Sequence, residues 1–311
     1  PVRKNIFMVA FALGLLIPVV IIFMRENMNT RVRGRKDLEN VTVPFIGEIP
    51  LFVRRKKGIF GKKPQEVRAV VVKEGNRDII NEAFRVLRTN LEFMTGKDNR
   101  SNVILVTSFN PGSGKSFLTM NIAVSLAIKG KKVLVIDGDL RHGSASAYID
   151  SPIKGLSDYL AGRIDNLNKI IVPDPKQKSM DILPVGTIPP NPTELLFDER
   201  LKQAIDTARE QYDYVLIDCP PIELVADTQI IEKLADRTIF VIRAGLLERS
   251  MLVELEKIYE EKKYKNMSLI LNGTEGSGGR YGYRYGYRYG YHYGYGSGYH
   301  YGSDEKRGGV N

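Results

Sequence analysis

Between Val103 and Lys129 the chain passes from a short β-branched apolar run, through a glycine-rich turn, into an amphipathic stretch, and this succession narrows the possible folds most. Val103–Thr107 (VILVT) reads as a strand buried on both faces. Ser108-Phe109-Asn110-Pro111-Gly112-Ser113-Gly114-Lys115-Ser116 follows, and then a helix expected from about Phe117 to Lys129. A strand, a loop ending in Gly-Lys-Ser and a helix are the setting of a P-loop, whose backbone N–H groups converge on phosphate oxygens while the helix N-terminus adds a favourable dipole. Gly112 and Gly114 allow a backbone approach that a Cβ would obstruct. In such a loop Pro111, Gly112, Ser113, Gly114 and Phe117 border the nucleotide, Lys115 reaches the β- and γ-phosphates, and Ser116 ligates Mg²⁺. Phe109 departs from the usual G-x-x-x-x-G-K-[ST] pattern, standing where its first glycine would be.

Two more apolar runs end in carboxylates. Lys132–Ile136 leads into Asp137-Gly138-Asp139-Leu140-Arg141, and Tyr214–Ile217 into Asp218-Cys219-Pro220-Pro221. Carboxylates at the C-terminal ends of strands in an α/β sheet face the same crevice as the glycine-rich loop. Asp218 is expected to hold Mg²⁺, and Asp137 or Asp139 to orient the metal or accept a proton from a nucleophile. One such Asp could equally cap the helix that follows it. Cys219, the single cysteine, excludes an intrachain disulfide framework and reads as a small buried residue. Further strands are expected at Met180–Pro184, Arg237–Arg243 and Ser268–Asn272, with helices at about Leu195–Gln211, Gln229–Leu234 and Ser250–Lys262. This β-α-β rhythm specifies an α/β fold, a mostly parallel sheet flanked by helices, of the P-loop NTPase class. A helix from Asn76 carries Phe84, Leu87, Leu91 and Met94 on one face; Glu82, Arg85 and Arg88 lie elsewhere on it, readable as a solvated ion-pair face.

The flanks differ in kind. Ile6–Met24 contains no charged residue and, as a helix, is about 28 Å long, enough for a transmembrane helix. Arg25 and Glu26 follow at once where a cleavable leader would need small residues. Arg25, Arg31, Arg33, Arg35 and Lys36 place the C-terminal bulk on the cytoplasmic side by the positive-inside bias, and the start at Pro1 suggests a piece of a longer protein. The net charge of +10 is uneven: residues 25–63 carry +7 and 64–275 carry −2. The basic excess thus lies outside the globular part, which argues against nucleic acid and for an anionic membrane surface. Residues 276–311 hold 10 tyrosines and 12 glycines and read as a disordered tail. The domain plan is therefore 1–24 membrane helix and flank, 25–63 basic juxtamembrane linker, 64–275 nucleotide domain, and 276–311 tyrosine-rich tail.

Taken together, the order and spacing of these motifs resemble the bacterial tyrosine kinases of polysaccharide export. Ser108–Ser116 matches Walker A of the deviant Walker class, Val133–Arg141 Walker A′, and Val215–Asp218 Walker B. Gly155–Leu160 and Asn191–Leu196 also look like family segments. The resemblance implies an ATP- and Mg-dependent protein tyrosine autokinase at the bacterial inner membrane, with its kinase domain and tail cytoplasmic. It gives Glu82, Arg85 and Arg88 an oligomerisation role in a ring of identical chains. It makes Tyr281, Tyr283, Tyr285, Tyr287, Tyr289, Tyr291, Tyr293, Tyr295, Tyr299 and Tyr301 phosphoacceptors for a neighbouring subunit. Lys115, Asp137 and Asp139 become the catalytic group, Asp137 the proton acceptor, Ser116, Asp137 and Asp218 the metal-holding set, and Asn272 a contact to the adenine base. A tyrosine phosphatase and polysaccharide export proteins are the implied partners. The rival within the same fold, a partitioning or division-site membrane ATPase switch, carries a second lysine early in its loop; Asn110 and Pro111 stand there here. A non-kinase copolymerase scaffold is the other alternative.

Overall fold

Runs such as VILVT, VLVID and YVLID offer water no polar face, so each must be covered on both sides, which a parallel sheet between helix layers provides. The computed structural model describes residues 3–27, 29–52, 69–95, 102–222 and 226–275. The chain divides into two units, Pro1–Glu275 and Gly276–Asn311, and every described residue belongs to the first. In chain order the elements are α1 (Arg3–Asn27), β1 (Phe45–Pro50), α2 (Ile79–Thr95), β2 (Asn102–Thr107), α3 (Lys115–Ile128), β3 (Val133–Asp137), α4 (Leu156–Leu160) and β4 (Val172–Pro173). There follow β5 (Met180–Leu183), α5 (Pro192–Leu196), α6 (Glu199–Gln211), β6 (Tyr214–Asp218), α7 (Asp227–Glu232), β7 (Arg237–Arg243), α8 (Met251–Glu260) and β8 (Met267–Thr274). The sheet order is β1-β8-β7-β2-β6-β3-β5-β4, parallel throughout except between β4 and β5.

The period of two along each strand sends alternate residues to opposite faces. Ile104 and Val106 of β2 join Phe84, Leu87 and Leu91 of α2 and Leu118 and Ile122 of α3 in one core. Val103 and Leu105 join Leu201 and Ile205 of α6 and Ile230 and Ile231 of α7 in a second. A third lies at the β7–β8 end, where Phe240, Ile242, Leu269 and Leu271 meet Leu255 and Ile258 of α8.

Two expectations are corrected here. The linker over 25–63 is folded in its described part, 29–52. Val32, Leu38 and Val43 are buried in the third core, and β1 extends the sheet as an edge strand parallel to β8. Asn90 of α2 donates from Nδ2 to the Ile46 carbonyl at 2.8 Å, and Thr42 Oγ1 to Glu256 of α8 at 2.7 Å. Pro44 and Pro50 read as loop punctuation, but proline is tolerated at the ends of an edge strand. The single helix expected over Leu195–Gln211 is two helices: Pro192 opens α5, and Asp198 caps α6, its carboxylate accepting from Arg200 N at 2.8 Å.

α1 forms over the apolar segment, with Pro18 inside it, and its described side chains, such as Phe7, Phe11 and Phe23, are exposed. Among the described residues no helix is long and apolar enough to cross a membrane.

Candidate active site

β2 ends at Thr107, and the chain turns tightly before α3. Ser108 Oγ and Ser113 Oγ both donate to the Asn110 carbonyl at 2.8 Å, closing the loop on itself. Gly112 at φ +74 and Gly114 at φ +86 take the left-handed conformation the turn requires. A Cβ on Gly114 would lie 2.2 Å from Asn272 Nδ2, so the position is closed to side chains on two counts. α3 starts without a side-chain cap, which leaves its first N–H groups for an anion. The departure at Phe109 is absorbed by the core: its ring packs edge-on against Phe240, centroids 4.9 Å apart, beneath the loop. Phe117 likewise turns its ring to Phe84 at 6.1 Å, so what it can offer phosphates is its backbone amide.

The sheet register sets the acidic group. Asp137 and Asp218 are direct partners at the ends of β3 and β6, and Asp218 also pairs with Val106 of β2 just before the loop. Both carboxylates are buried, and three of their four oxygens (Asp137 Oδ1, Asp218 Oδ1 and Oδ2) have no hydrogen-bond partner. The fourth, Asp137 Oδ2, accepts from both N and Oγ of Ser146 at 2.6 Å. Burial, then the neighbouring Asp218 charge, pushes the Asp137 carboxyl up to about 8. Burial raises Asp218 to about 6, with Ser116 and Lys115 opposing. Burial lowers the Lys115 ammonium, held up in turn by Asp218 and Asp139. Burial drives the Cys219 thiol well above its usual range, in keeping with a packing role.

Asp139 differs from its neighbours. Its Oδ1 accepts the N–H groups of Arg141 and His142, both at 3.2 Å, so it winds the turn that follows it. Asn272, at the end of β8, donates from Nδ2 to the Ser113 carbonyl at 2.8 Å and braces the loop from beneath. Glu82 and Arg85 form an ion pair on α2, and Arg85 also donates to the Asn76 carbonyl. Arg88 donates to the Ser125 carbonyl of α3 at 2.8 Å. Arg85 and Arg88, with Lys73 and Lys129, border a cavity of about 190 Å³. The tail tyrosines from Tyr281 to Tyr301 lie outside the described residues.

Buried carboxylate oxygens without partners, beside a lysine and a glycine-rich turn at a helix N-terminus, fit a hard divalent cation carried on nucleotide phosphates. Mg²⁺ takes one or two protein carboxylates and completes its shell with phosphates and water. Among the described residues no group of three or more His, Cys, Asp or Glu is placed to hold a metal ion. Sequence reasoning missed Ser146, which fixes Asp137 and also accepts from Val185 N at 2.8 Å. It missed Asp227 too, whose carboxylate pairs with Arg141 at 3.0 Å. A serine nine residues beyond an aspartate gives no signal until the loop between them is seen to close.

A family described as AAA domain matches residues 101–269. The tyrosine-protein kinase Etk of Escherichia coli K12 is 32% identical over 276 residues, 85% of this chain and 37% of that relative. The tyrosine-protein kinase CpsD of Streptococcus agalactiae is 37% identical over 203 residues, 65% of this chain and 85% of the relative. The solved kinase domain of the Escherichia coli tyrosine kinase Etk superposes with a TM-score of 0.68 at 29% identity, covering 86% of this chain and 100% of that one. The chain thus spans less than half the length of its relative Etk.

Proposed function

The chain belongs to the family of bacterial tyrosine-protein kinases built on a P-loop AAA domain, and from that premise we propose that it transfers the γ-phosphoryl group of ATP to tyrosines of its own tail in a neighbouring copy. The observation that carries this reading is the pair Asp137 and Asp218, side by side at the strand ends with three unpartnered oxygens beside Lys115 and the loop.

Catalysis of phosphoryl transfer is mainly positioning and charge stabilisation. The loop amides and Lys115 hold the β- and γ-phosphates, and Ser116 with Asp218 would hold Mg²⁺. Magnesium held there with the nucleotide would supply charge neutralisation for the transfer. A tyrosine hydroxyl has a pKa near 10 and needs an acceptor at neutral pH. Asp137 is better placed for that than Asp139, because Asp139 is committed to its own turn while Asp137 keeps Oδ1 unpartnered. Ser146, holding Oδ2, points the other oxygen away from itself. Asn272 keeps the loop in place, and its contact to the adenine base belongs to the same proposal.

The wider arrangement rests on the family resemblance and on the charge of the flanking segments. Ile6–Met24 anchors the chain in the bacterial inner membrane, with the kinase unit and tail on the cytoplasmic side. Glu82, Arg85 and Arg88 serve a ring of identical chains, in which each tail enters the next site. The tail begins at +3, and each phosphotyrosine adds roughly −1.5 to −2, so phosphorylation loosens the ring by repulsion from the acidic site. A tyrosine phosphatase resets the cycle, and polysaccharide export proteins receive it. The test is complementation in a mixed assembly. A Lys115→Met chain, inert itself, is combined with an active chain lacking residues 276–311 and given labelled ATP. Label on the tail of the Lys115→Met chain is expected. Its absence, with both chains shown to co-assemble, would defeat transfer between copies.

A further inference from the structure

The strand ladder fixes Asp137 and Asp218 relative to each other, but it ends there. The irregular segments that follow β3 and β6 need fastening of their own, and the structure provides it at the start of α7. Asp227, with its carboxylate buried, accepts from Arg141 Nε at 3.0 Å on Oδ2 and from Thr193 Oγ1 at 2.6 Å on Oδ1. Arg141 closes the ring by donating from its NH2 group to Thr193 Oγ1 at 2.9 Å. The next residue, Thr228, is buried and donates from Oγ1 to the Pro220 carbonyl at 2.9 Å. That same carbonyl accepts from Oγ1 of Thr107, the last residue of β2, also at 2.9 Å.

Three segments meet here. Thr107 precedes the P-loop, Arg141 follows Asp139, and Pro220 follows Asp218, while Thr193 sits in the first turn of α5. We propose that Arg141, Thr193 and Asp227 are positioning residues: a hydrogen-bonded clamp that, with Thr228, sets the Asp137–Asp139 turn against the Asp218 strand end for phosphoryl transfer. The three side chains bond to one another, not to Asp137 or Asp218, and act through the backbone that carries those carboxylates. The chemistry suits the task. A guanidinium presents N–H groups in a rigid planar fork, and here Nε and NH2 reach two different acceptors at once, which a lysine cannot reproduce. The pair joins a buried Asp227 carboxylate to an Arg141 side chain that is 36% exposed, and ion pairs open to solvent contribute little as simple stabilisation. Its worth is in geometry, and displacement of a reacting group by an ångström costs roughly 10²-fold in rate.

The clamp rests on the kinase reading above, so ATP hydrolysis is measured beside tail phosphorylation. Arg141→Lys, Thr193→Val and Asp227→Asn are made in the whole chain, with Arg141→Lys/Thr193→Val as the double variant. For each, kcat, KM for ATP, fluorescent-nucleotide affinity and thermal midpoint are determined. We expect kcat for tail phosphorylation to fall roughly 10- to 100-fold, with KM and nucleotide affinity within about twofold. The double variant should be no slower than the slower single one, because both break one ring. Thr193→Val removes one hydroxyl and its bonds to Asp227 and Arg141, so its loss of turnover, measured well below its own thermal midpoint, is the decisive reading. Unchanged turnover in Thr193→Val and Arg141→Lys, or losses that follow the thermal midpoint or nucleotide affinity, would overturn the clamp. If the unmutated chain hydrolyses ATP without labelling tyrosine, the kinase reading fails, and the same variants then decide the clamp by hydrolysis turnover.

Discussion

Loading the site with Mg²⁺ and nucleotide should release protons, and the number follows from the two buried carboxyls. With Asp137 raised to about 8 and Asp218 to about 6, Asp137 is about nine-tenths protonated at pH 7 and Asp218 about one-tenth. The positive charge of a divalent cation held at Asp218 beside Asp137 favours the ionised form of both carboxyls, so binding at pH 7 should expel about one proton per chain. The same arithmetic gives about 1.5 protons at pH 6 and about 0.5 at pH 8. Apparent affinity for the magnesium nucleotide should therefore tighten by about tenfold per pH unit around neutrality and level off above pH 8. The pair titrates as a unit, so the total released is the quantity to compare. Isothermal titration calorimetry in buffers of different ionisation enthalpy counts these protons directly. Asp137→Asn should remove most of the release at pH 7 and leave the contribution of Asp218. Release near zero at pH 7 in the unmutated chain, or release that Asp137→Asn leaves unaltered, would refute the burial argument.

Because the folded Asp137 value lies above its unfolded one of 3.8, its contribution to stability is fully present below about pH 4 and is lost as pH rises through about 8. Nucleotide-free protein should accordingly melt at a lower temperature at pH 8.5 than at pH 6, and Asp137→Asn should flatten that dependence. Gly114→Ala must place a Cβ at φ +86 against the Asn272 amide; nucleotide affinity measured by fluorescence should fall at least about tenfold while circular dichroism stays unchanged. Ile49→Ala empties a fully buried site in β1 and should cost about 2–5 kcal/mol in denaturant unfolding, with one transition for the whole nucleotide unit.

The parts of the site that chemistry confines to a contiguous run were legible. A phosphate loop needs glycines, a lysine and a hydroxyl in fixed succession, and a doubly covered strand must be apolar throughout, so β2, β3, β6, β7 and β8 emerge where the residues place them. β1 did not, because an edge strand can tolerate Pro44 and Pro50 at its ends and a basic neighbourhood, and these imitate a linker. The break between α5 and α6 turned on Asp198 acting as a cap within an otherwise helical stretch. Asn272 was singled out by position for a base contact, and its hold on Ser113 depends on the sheet order that brings β8 beneath the loop. Ser146, Thr193 and Asp227 carry no local pattern; Arg141 and Asp227 are 86 residues apart and meet only because β3 and β6 are neighbours. The ion-pair reading of Glu82 and Arg85 is realised within one chain, and that leaves their role between chains to experiment.

The central claim is tyrosine phosphorylation at the site formed by Lys115, Asp137 and Asp218, and it is tested most directly by mapping label after incubation of the purified whole chain with γ-labelled ATP and Mg²⁺. The account predicts phosphotyrosine among Tyr281 to Tyr301, abolished by Lys115→Met and by omission of Mg²⁺, and reduced roughly 10²-fold or more by Asp137→Asn. ATP hydrolysis with no phosphotyrosine on the tail, or labelling that Lys115→Met leaves intact, would contradict it.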